Sequence, residues 1–356
     1  MKNSAVVTLA QLAEFDEVID VRSPAEYADD HVRGAANCPV LDDAQRAEIG
    51  TLYKQVSTFE ARKRGAALVA QNIAHHLQSH FAGRDRDWKP LVYCWRGGKR
   101  SEAMTHVLRQ VGWNAAQLEG GYKSYRREVV AMLATLPQRL SYRVVCGVTG
   151  SGKSRMLAAL KSEGAQILDL ESLARHRGSV LGSLPEQPQP SQKGFDSALW
   201  DALRSLDPGH PVFVEAESKK IGDLRVPDSL IHAMWSSPCV RIELPFPLRV
   251  ALLMEDYRHF FHDPDDLCAK LDGLASLHGK SVIEGWKAQA HAGNWQELVS
   301  DLLTRHYDPA YRRSAARNYP ALANAIAVDC HGIDGTSMRG AARTLLRSTA
   351  DLQNPA

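Results

Sequence analysis

The stretch that decides the fold is Gly147-Val148-Thr149-Gly150-Ser151-Gly152-Lys153-Ser154. It follows a short apolar run, residues 142–146, and precedes a segment of helical periodicity that starts at Met156. In this order of strand, glycine-rich loop and helix N-terminus, backbone N–H groups can surround a phosphate. Lys153 would bring a positive charge to the outer phosphates, and the Ser154 hydroxyl would be a Mg²⁺ ligand. The sequence therefore predicts a phosphate-binding loop (P-loop). Its candidate contacts are Gly147, Gly150, Ser151, Gly152, Lys153 and Ser154.

Acidic side chains follow two later strands. The strand predicted at residues 166–170 ends in Asp169 and Glu171, and a further apolar run ends at Glu215 and Glu217. Ligands of parallel sheets lie at the carboxyl ends of the strands, so such carboxylates can hold Mg²⁺ or orient a water molecule. Our candidates for this role are Asp169, Glu215 and Glu217. The alternative is that they are solvated charges at strand ends.

The composition is that of an ordinary globular protein, with 44% hydrophobic and 24% charged residues among 356. This length favours two domains, which we place at residues 1–135 and 140–356. The net charge of +2 means that nucleic-acid binding would need local basic patches. The sequence has no membrane-spanning apolar stretch and no signal-peptide core, so we expect a cytoplasmic protein without membrane contact. The six cysteines are scattered, which argues against a disulfide framework or a zinc site.

One cysteine has a distinctive setting. The apolar run 90–93 brings Cys94 to the end of a predicted strand, and a basic, glycine-rich loop follows before the next helix. Helix N-terminal amides together with Arg96, Lys99 and Arg100 would favour the thiolate and could bind an anion beside the sulfur. We therefore predict that Cys94 is a nucleophile, whereas the other cysteines are buried and inert. The predicted anion loop consists of Arg96, Gly97, Gly98, Lys99 and Arg100.

Two further segments have less definite roles. Six basic residues could contact an RNA backbone or could simply be solvated helix faces. They are Arg62, Lys63, Arg64, Lys123, Arg126 and Arg127. The segment 185–193 is rich in Pro and Gln, and we expect it to be a linker or a substrate loop.

Several stretches of the first domain occur together in a known family. They are Asp20-Val21-Arg22, Glu26-Tyr27, His31-Val32-Arg33-Gly34-Ala35 and the Cys94 loop. Together they resemble a rhodanese domain over roughly residues 5–130. This resemblance implies that Cys94 carries a sulfur or selenium atom on its own sulfur. The Cys-x5-Arg spacing to Arg100 is one residue longer than in simple sulfurtransferases and is similar to that of rhodanese-fold phosphatases. A phosphatase therefore remains an alternative, and a phosphate-containing donor is suggested.

Further distinctive stretches lie along nearly the whole chain. They are residues 93–101, 120–123, 147–154, 176–179, 190–193 and 306–309. Together they resemble one family, the tRNA 2-selenouridine synthases. The implied fold class is α/β. It combines an N-terminal rhodanese-like parallel-sheet domain with a C-terminal P-loop NTPase-like α/β domain that has helical additions.

The resemblance also implies an activity, the replacement of sulfur by selenium in 2-thiouridine at the tRNA wobble position. The anticodon stem-loop would be the partner. Geranyl diphosphate would first alkylate the sulfur, and selenium from selenophosphate would then displace the geranyl-thio group. A separate enzyme would supply selenophosphate. The P-loop would hold the diphosphate with Mg²⁺, Cys94 would carry selenium, and binding of ATP or GTP is left open. Two alternatives are an ATP-dependent tRNA sulfurtransferase and a non-catalytic phosphate-sensing module.

Overall fold

The structure is a computed structural model that describes residues 6–185 and 187–351. The chain forms two compact units. The first unit contains residues 1–132 together with a later segment, residues 190–201. The second contains residues 133–189 and 202–356. None of the described helices combines the length and apolar composition needed to cross a membrane.

The first unit is built on a five-stranded parallel sheet, as the alternation of strands and helices predicts. Its strands are β1 (Val6–Val7), β2 (Glu17–Asp20), β3 (Ala36–Asn37), β4 (Pro90–Tyr93) and β5 (Ala116–Leu118). Their order is β1-β5-β4-β2-β3, which puts β4 at the centre with all four of its residues buried. The residue that follows β4 is Cys94, so the candidate nucleophile leaves the sheet at the middle of its carboxyl edge.

Helices cover this sheet. They are α1 (Pro24–Asp29), α2 (Asp43–Gln55), α3 (Thr58–Gln78), α4 (Lys99–Val111) and α5 (Gly121–Thr135). Helix α4 begins directly after the Cys94 loop with Gly98 as its N-cap, and Gly112 ends it in a left-handed conformation.

The second unit has a parallel sheet of its own, with strands β6 (Tyr142–Cys146), β7 (Gln166–Leu168), β8 (Val212–Glu215), β11 (Cys239–Glu243) and β12 (Ile326–Asp329). Two short strands, β9 (Lys220–Ile221) and β10 (Leu224–Arg225), form a separate hairpin. The sheet order is β12-β11-β6-β8-β7. The chain thus fills one side of β6 first and then crosses to the other, which makes β6 the switch point where ligands of such sheets bind.

The remaining helices surround this sheet or form a helical addition. They are α6 (Lys153–Ser162), α7 (Leu170–Ala174), α8 (Gln192–Arg204), α9 (Asp228–Trp235), α10 (Phe246–Asp256), α11 (Pro264–Asp272), α12 (Ala275–His278), α13 (Lys280–His291), α14 (Trp295–Leu302), α15 (Asp308–Asn318) and α16 (Gly335–Asp351). A π-helical turn, Leu303–Tyr307, joins α14 to α15. Helices α11, α13 and α14 share a core around the buried Trp286.

The last part of the Pro- and Gln-rich segment 185–193 is held in place by the first unit, so it is neither a simple linker nor a free loop. Helix α8 begins at Gln192, and Lys193 pairs with Asp29 of the first unit at 2.7 Å. Further along, the Ser197 hydroxyl donates to the buried Asp30 carboxylate at 2.9 Å. Residues 190–201 are therefore an integral part of the first unit.

Candidate functional sites

Cys94 lies where β4 passes into α4, and its thiol sulfur is surrounded by donors. The Gly98 N–H donates to Sγ at 3.3 Å, and the Ser101 hydroxyl lies 3.1 Å away. Gln117 donates its amide to the Ser101 oxygen at 2.9 Å, which leaves the Ser101 proton for an acceptor such as the sulfur. Cys94 is only 4% exposed. The loop therefore holds the sulfur at its floor, inside a ring of N–H and O–H groups.

The ring shape depends on a second turn, residues 120–123, that closes against the loop. The Tyr122 N–H donates to the Cys94 carbonyl at 2.8 Å, and the Lys123 N–H donates to the Trp95 carbonyl at 3.0 Å. Gly121 has a φ of +57°, and a Cβ there would lie 2.2 Å from the Cys94 carbonyl oxygen. Only glycine fits this close approach of two backbones.

These donors decide the acidity of the thiol. Burial acts to raise the pKa of Cys94, but hydrogen bonds from the Ser101 side chain and from the backbone N–H groups of Ser101, Gly98 and Arg96 outweigh it. The net effect lowers the pKa below its usual range. Cys38 of the same unit shows the opposite case, because burial raises the pKa of its thiol to about 12. The two cysteines of this unit therefore differ in acidity, with the pKa lowered at Cys94 and raised at Cys38.

The nearby cations contribute less to this site than the sequence suggested. Arg100 directs its guanidinium to Glu26, with an Nη1–Oε2 distance of 2.6 Å. The Lys99 side chain is 96% exposed and lies 3.3 Å from Glu102, and Arg96 is exposed as well. The expected cationic stabilisation of the thiolate is therefore replaced by neutral N–H and O–H donors. Ser101 is the residue that our candidate set missed, although its place in the first turn of α4 could have indicated it.

A buried polar network stands behind the turn. Arg22 forms an ion pair with Asp20 at 2.6 Å, and its guanidinium carbon lies 4.1 Å from the ring centroid of Tyr122. The Tyr122 hydroxyl donates to Asp30 at 2.8 Å, and Asp30 also accepts from Ser197. Removing one partner from such a network leaves a buried polar group unsatisfied. The network thereby fixes the ring of Tyr122, the residue whose N–H closes the Cys94 loop.

The P-loop has the predicted form between β6 and α6. Gly150 and Gly152 adopt φ values of +76° and +84°, and Lys153 begins the helix. The Lys153 ammonium donates to the Gly147 carbonyl at 3.1 Å, on the inner side of the loop. A Cβ on Gly147 would lie 2.3 Å from the Ser151 hydroxyl. The glycines are therefore required by the conformation, and Lys153 is placed to meet a bound phosphate.

An ion pair supports the P-loop from outside. Arg249 of α10 donates twice to the Thr149 carbonyl, at 3.0 and 2.8 Å. The same guanidinium binds Asp308, with an Nη1–Oδ2 distance of 3.0 Å. The first turn of α15, which contains Asp308, is thus connected to the phosphate cradle. Arg249 was not among our predicted residues, since no local motif marks an arginine that acts on a loop a hundred residues earlier.

Three carboxylates meet beside Ser154. Glu171, Glu215 and Glu217 each offer an oxygen atom within 4.8 Å of the others. The Ser154 hydroxyl donates to Glu171 at 3.2 Å. Glu215 is 0% exposed, and neither of its carboxylate oxygens has a hydrogen-bond partner among the residues that the structure describes. Two of the predicted carboxylates, Glu215 and Glu217, are therefore brought together with the predicted Ser154.

The third predicted carboxylate, Asp169, has a different role. It caps α7 by accepting the Ser172 N–H at 2.8 Å, and Glu171 takes its place in the cluster. Burial raises the pKa of Glu217 to about 8, and repulsion from Glu171 adds to the increase. Burial and the same neighbour also raise the pKa of Glu215 well above its usual range. A divalent cation would relieve this repulsion, and an oxygen-only donor set fits Mg²⁺.

An apolar slot opens next to the P-loop in the second unit. Thr149 of the loop and Leu253 of α10 form part of its wall. Ser179 and Leu181 come from the loop after α7. Most of the remaining lining is apolar and comes from the helical addition, including Phe260, Trp295, Val299, Leu302 and Tyr307. The slot is narrow, with a volume of about 50 Å³. It forms an apolar surface that begins at the P-loop.

The six candidate RNA contacts fall on two helices of the first unit. Lys63 and Arg64 on α3 pair with exposed carboxylates at 2.7 and 3.0 Å. Lys123 and Arg127 on α5 are exposed, as is Arg62 on α3. Arg126 differs, because it is half-buried and forms an ion pair with Asp196 of α8. Arg126 thus has a structural contact within its own unit.

Comparison with known proteins gives two family matches along the chain. The Rhodanese-like domain family matches residues 5–128, and the tRNA 2-selenouridine synthase AAA domain family matches residues 140–268. A protein of Alcanivorax borkumensis named tRNA 2-selenouridine synthase is 33% identical over 83% of this chain and 88% of its own length. One from a Sulfurovum species is 30% identical over 85% and 89%, respectively. One from Nitrosomonas europaea is 36% identical over 67% of this chain, and the match covers 63% of that relative's length. The rhodanese-like and P-loop fold classes predicted for the two parts of the chain are confirmed.

Proposed function

This chain belongs to the tRNA 2-selenouridine synthase family, and from that premise we propose that it replaces sulfur by selenium in 2-thiouridine at the wobble position of tRNA. The observation that carries the proposal is the presence of two strand-to-helix loops with different chemistry, each with donors suited to an anion. One has an activated sulfur at its floor. The other joins a phosphate cradle to a carboxylate cluster and an apolar slot. A sulfur-for-selenium exchange in two stages needs both.

The first stage is alkylation of the thiocarbonyl sulfur by geranyl diphosphate at the second site. The sulfur attacks C1 of the geranyl chain, the C–O bond breaks, and diphosphate leaves with the electron pair. The base loses its N3 proton to solvent. The P-loop amides and Lys153 stabilise the charge that develops on the leaving group. Mg²⁺ held by Glu171, Glu215 and Glu217 would neutralise the diphosphate further. The apolar slot beside Thr149 takes the hydrocarbon chain.

The second stage is selenation at the first site. The Cys94 thiolate attacks the phosphorus of selenophosphate, the P–Se bond breaks, and selenium leaves with its electron pair as selenide. The loop amides bind the phosphoryl group, which water later releases from the sulfur as phosphate. Selenium then adds with its electron pair to C2 of the base, the C–S bond breaks, and the geranyl thiolate leaves and takes up a proton. Alkylation is what makes this exit feasible, because an S-alkyl sulfur leaves more readily than a thiocarbonyl sulfur. An enzyme that makes selenophosphate must supply this stage.

The test uses an anticodon stem-loop RNA that contains 2-thiouridine at the wobble position. Each of two variants should lose one of the two reactions and keep the other. In the Cys94→Ser variant we expect S-geranylation at the wild-type rate and no selenation, so that the geranylated base accumulates. In the Lys153→Ala variant we expect loss of geranylation, while RNA that is already geranylated is still selenated. Nucleoside mass analysis measures both products. Cys38→Ala serves as the control for cysteine loss in the same unit.

Two results would contradict the proposal. One is selenation that persists in Cys94→Ser, and the other is geranylation that persists in Lys153→Ala. A parallel reaction with labelled ATP separates the proposed activity from an ATP-dependent sulfurtransferase. Geranylation and selenation should proceed without any release of labelled phosphate or adenylate.

A further inference from the structure

A second cavity adjoins the P-loop and is not used by the function proposed above. It has a volume of about 420 Å³ and lies at the carboxyl edge of the sheet in the second unit. Gly147 and Val148, which follow β6, form one side, and the ends of β11 and β12 form others. This is the switch point of the sheet, where α/β folds bind ligands. Its size falls within the range of about 300–1,000 Å³ typical of small-molecule sites.

The lining of the cavity combines apolar side chains with a polar rim. Tyr311, Leu322 and Pro245 supply aromatic and aliphatic surface. At the rim, Asp329 and His331 are exposed. An ion pair between Arg241 and Glu243, 2.7 Å apart, adds both a donor and an acceptor. This pattern differs from that of the apolar slot, since a hydrocarbon chain gains nothing from such a rim. The two carboxylates would also repel a free phosphate.

Tyr311 connects this cavity to the phosphate cradle. Its hydroxyl accepts the Gly147 N–H at 2.8 Å, and its ring centroid lies 5.9 Å from the Lys153 ammonium. Burial raises the pKa of the Tyr311 hydroxyl, so the group stays neutral at physiological pH. A ligand packed on this ring would therefore lie next to whatever the P-loop holds.

We propose that this cavity binds a nucleobase beside the phosphate cradle. A base is planar, stacks on aromatic and aliphatic side chains, and carries donors and acceptors along its edge. The lining offers both kinds of contact. The base has two possible sources: a uracil extruded from the RNA loop, or the base of a free nucleotide whose phosphates occupy the P-loop. The first source rests on the proposed function, and it would bring the thiocarbonyl sulfur next to the diphosphate.

Photo-cross-linking of the full chain tests the proposal and distinguishes the sources. One arm uses an anticodon stem-loop RNA with 5-iodouridine at the wobble position, and the other uses 8-azidoadenosine triphosphate. Peptide mapping then locates the adduct. Adducts in residues 241–245, 311–322 or 329–331 from the RNA support an extruded base, and those from the nucleotide support a free one. Adducts of both probes outside these segments would overturn the proposal.

A second measurement uses a variant in which a larger side chain fills the cavity. Leu322→Trp should reduce the adduct yield in the productive arm about tenfold, which corresponds to about 1.4 kcal/mol of binding. Leu277→Trp is the matched control, because Leu277 is 69% exposed outside the cavity. An unchanged yield in folded Leu322→Trp would contradict the assignment. Neither measurement requires geranyl transfer. A geranylation assay on the same preparations therefore shows whether the base pocket or the proposed function has failed.

Discussion

The Cys94 loop and the P-loop share one architecture but differ in the side chains that surround them, which are mainly neutral donors at Cys94 and ionisable groups at the P-loop. Each connects a central parallel strand to a helix, β4 to α4 and β6 to α6. In the Cys94 loop the neighbouring Arg100 is neutralised by Glu26, and neutral donors surround the sulfur. At the P-loop, Lys153 lies on the inner side of the loop, and three carboxylates, two of them buried, cluster where a cation could bind. The first arrangement suits a charge on the protein's own atom, and the second suits an external polyanion with its cation.

The two loops are also held by different means. A backbone turn clamps the Cys94 loop through Gly121, whereas the Arg249–Asp308 ion pair holds the P-loop through a carbonyl. Backbone contacts such as those at Gly121 cannot shift unless the chain refolds locally, whereas the Arg249 and Asp308 side chains can change rotamer. We therefore expect the first site to be intolerant of changes in shape and the second to be sensitive to changes in charge.

The largest effect should follow Gly121→Ala. The new methyl group would meet the Cys94 carbonyl at 2.2 Å, at a φ of +57° that alanine rarely adopts. We expect the free energy of unfolding of the first unit to fall by about 3 kcal/mol or more. Urea denaturation followed by fluorescence measures this.

Two glycine controls sharpen the comparison. Gly112→Ala introduces strain alone, because no atom lies within 4 Å of its added Cβ, and should cost about 1 kcal/mol. Gly150→Ala in the P-loop brings the Cβ to 3.0 Å from the Leu253 side chain, so its cost should lie between the other two. Equal losses at Gly121 and Gly112 would show that the backbone clamp contributes nothing.

The next largest effect concerns the apolar slot. Val299→Trp should fill the slot and raise the KM for geranyl diphosphate about 30-fold, an effect of about 2 kcal/mol. The affinity for inorganic diphosphate, measured by calorimetry, should stay within about twofold because the P-loop is untouched. Val130→Trp, at a position that is 55% exposed, is the control. Equal weakening of both ligands would mean that the substitution disturbs the P-loop rather than a chain-binding slot.

The sequence could predict the parts of this molecule that local patterns specify. The P-loop glycines, Lys153 and the strand-end position of Cys94 all follow from contiguous motifs, and the structure places them as expected. Contacts between distant segments could not be predicted this way. Arg249 reaches Thr149 across 100 residues, and residues 190–201 pack with a unit that precedes them. Whether Asp169 or Glu171 joins the carboxylate cluster depends on which of them caps α7. The two residues are only half a helical turn apart, so the sequence could not decide between them.

The carboxylate cluster predicts a pH dependence of Mg²⁺ binding. Because burial raises the pKa of Glu217 from 4.5 to about 8, the cluster carries a proton at pH 7 that the cation must displace. Apparent Mg²⁺ affinity should therefore rise about tenfold between pH 7 and pH 9 and level off above that. Calorimetry in two buffers of different ionisation enthalpy measures both the affinity and the released proton.

The same shift determines how stability responds to pH. Between pH 4.5 and 8 the folded state holds a proton that the unfolded state has lost, so stability without Mg²⁺ should fall as the pH rises through this window. Glu217→Gln should reduce both dependences, whereas Glu297→Gln on the exposed face of α14 should change neither. An affinity that does not vary between pH 7 and 8 in the wild type would contradict a cation site at this cluster.

The smallest effect should come from Ser101→Ala, which removes one donor from the thiolate and leaves the loop amides in place. Gln117 donates to the Ser101 oxygen, so the Ser101 proton is available to the sulfur, 3.1 Å away. This bond is the foremost cause that lowers the pKa of Cys94. Its loss should raise that pKa and slow alkylation of Cys94 by iodoacetamide about fivefold at pH 7. The pH–rate profile of the Cys94 peptide, followed by mass spectrometry, gives the midpoint, with Ser79→Ala on the exposed end of α3 as the control. An unchanged midpoint would assign thiolate stabilisation to the amides alone, and the Cys94 loop would then depend on its backbone for charge as well as for shape.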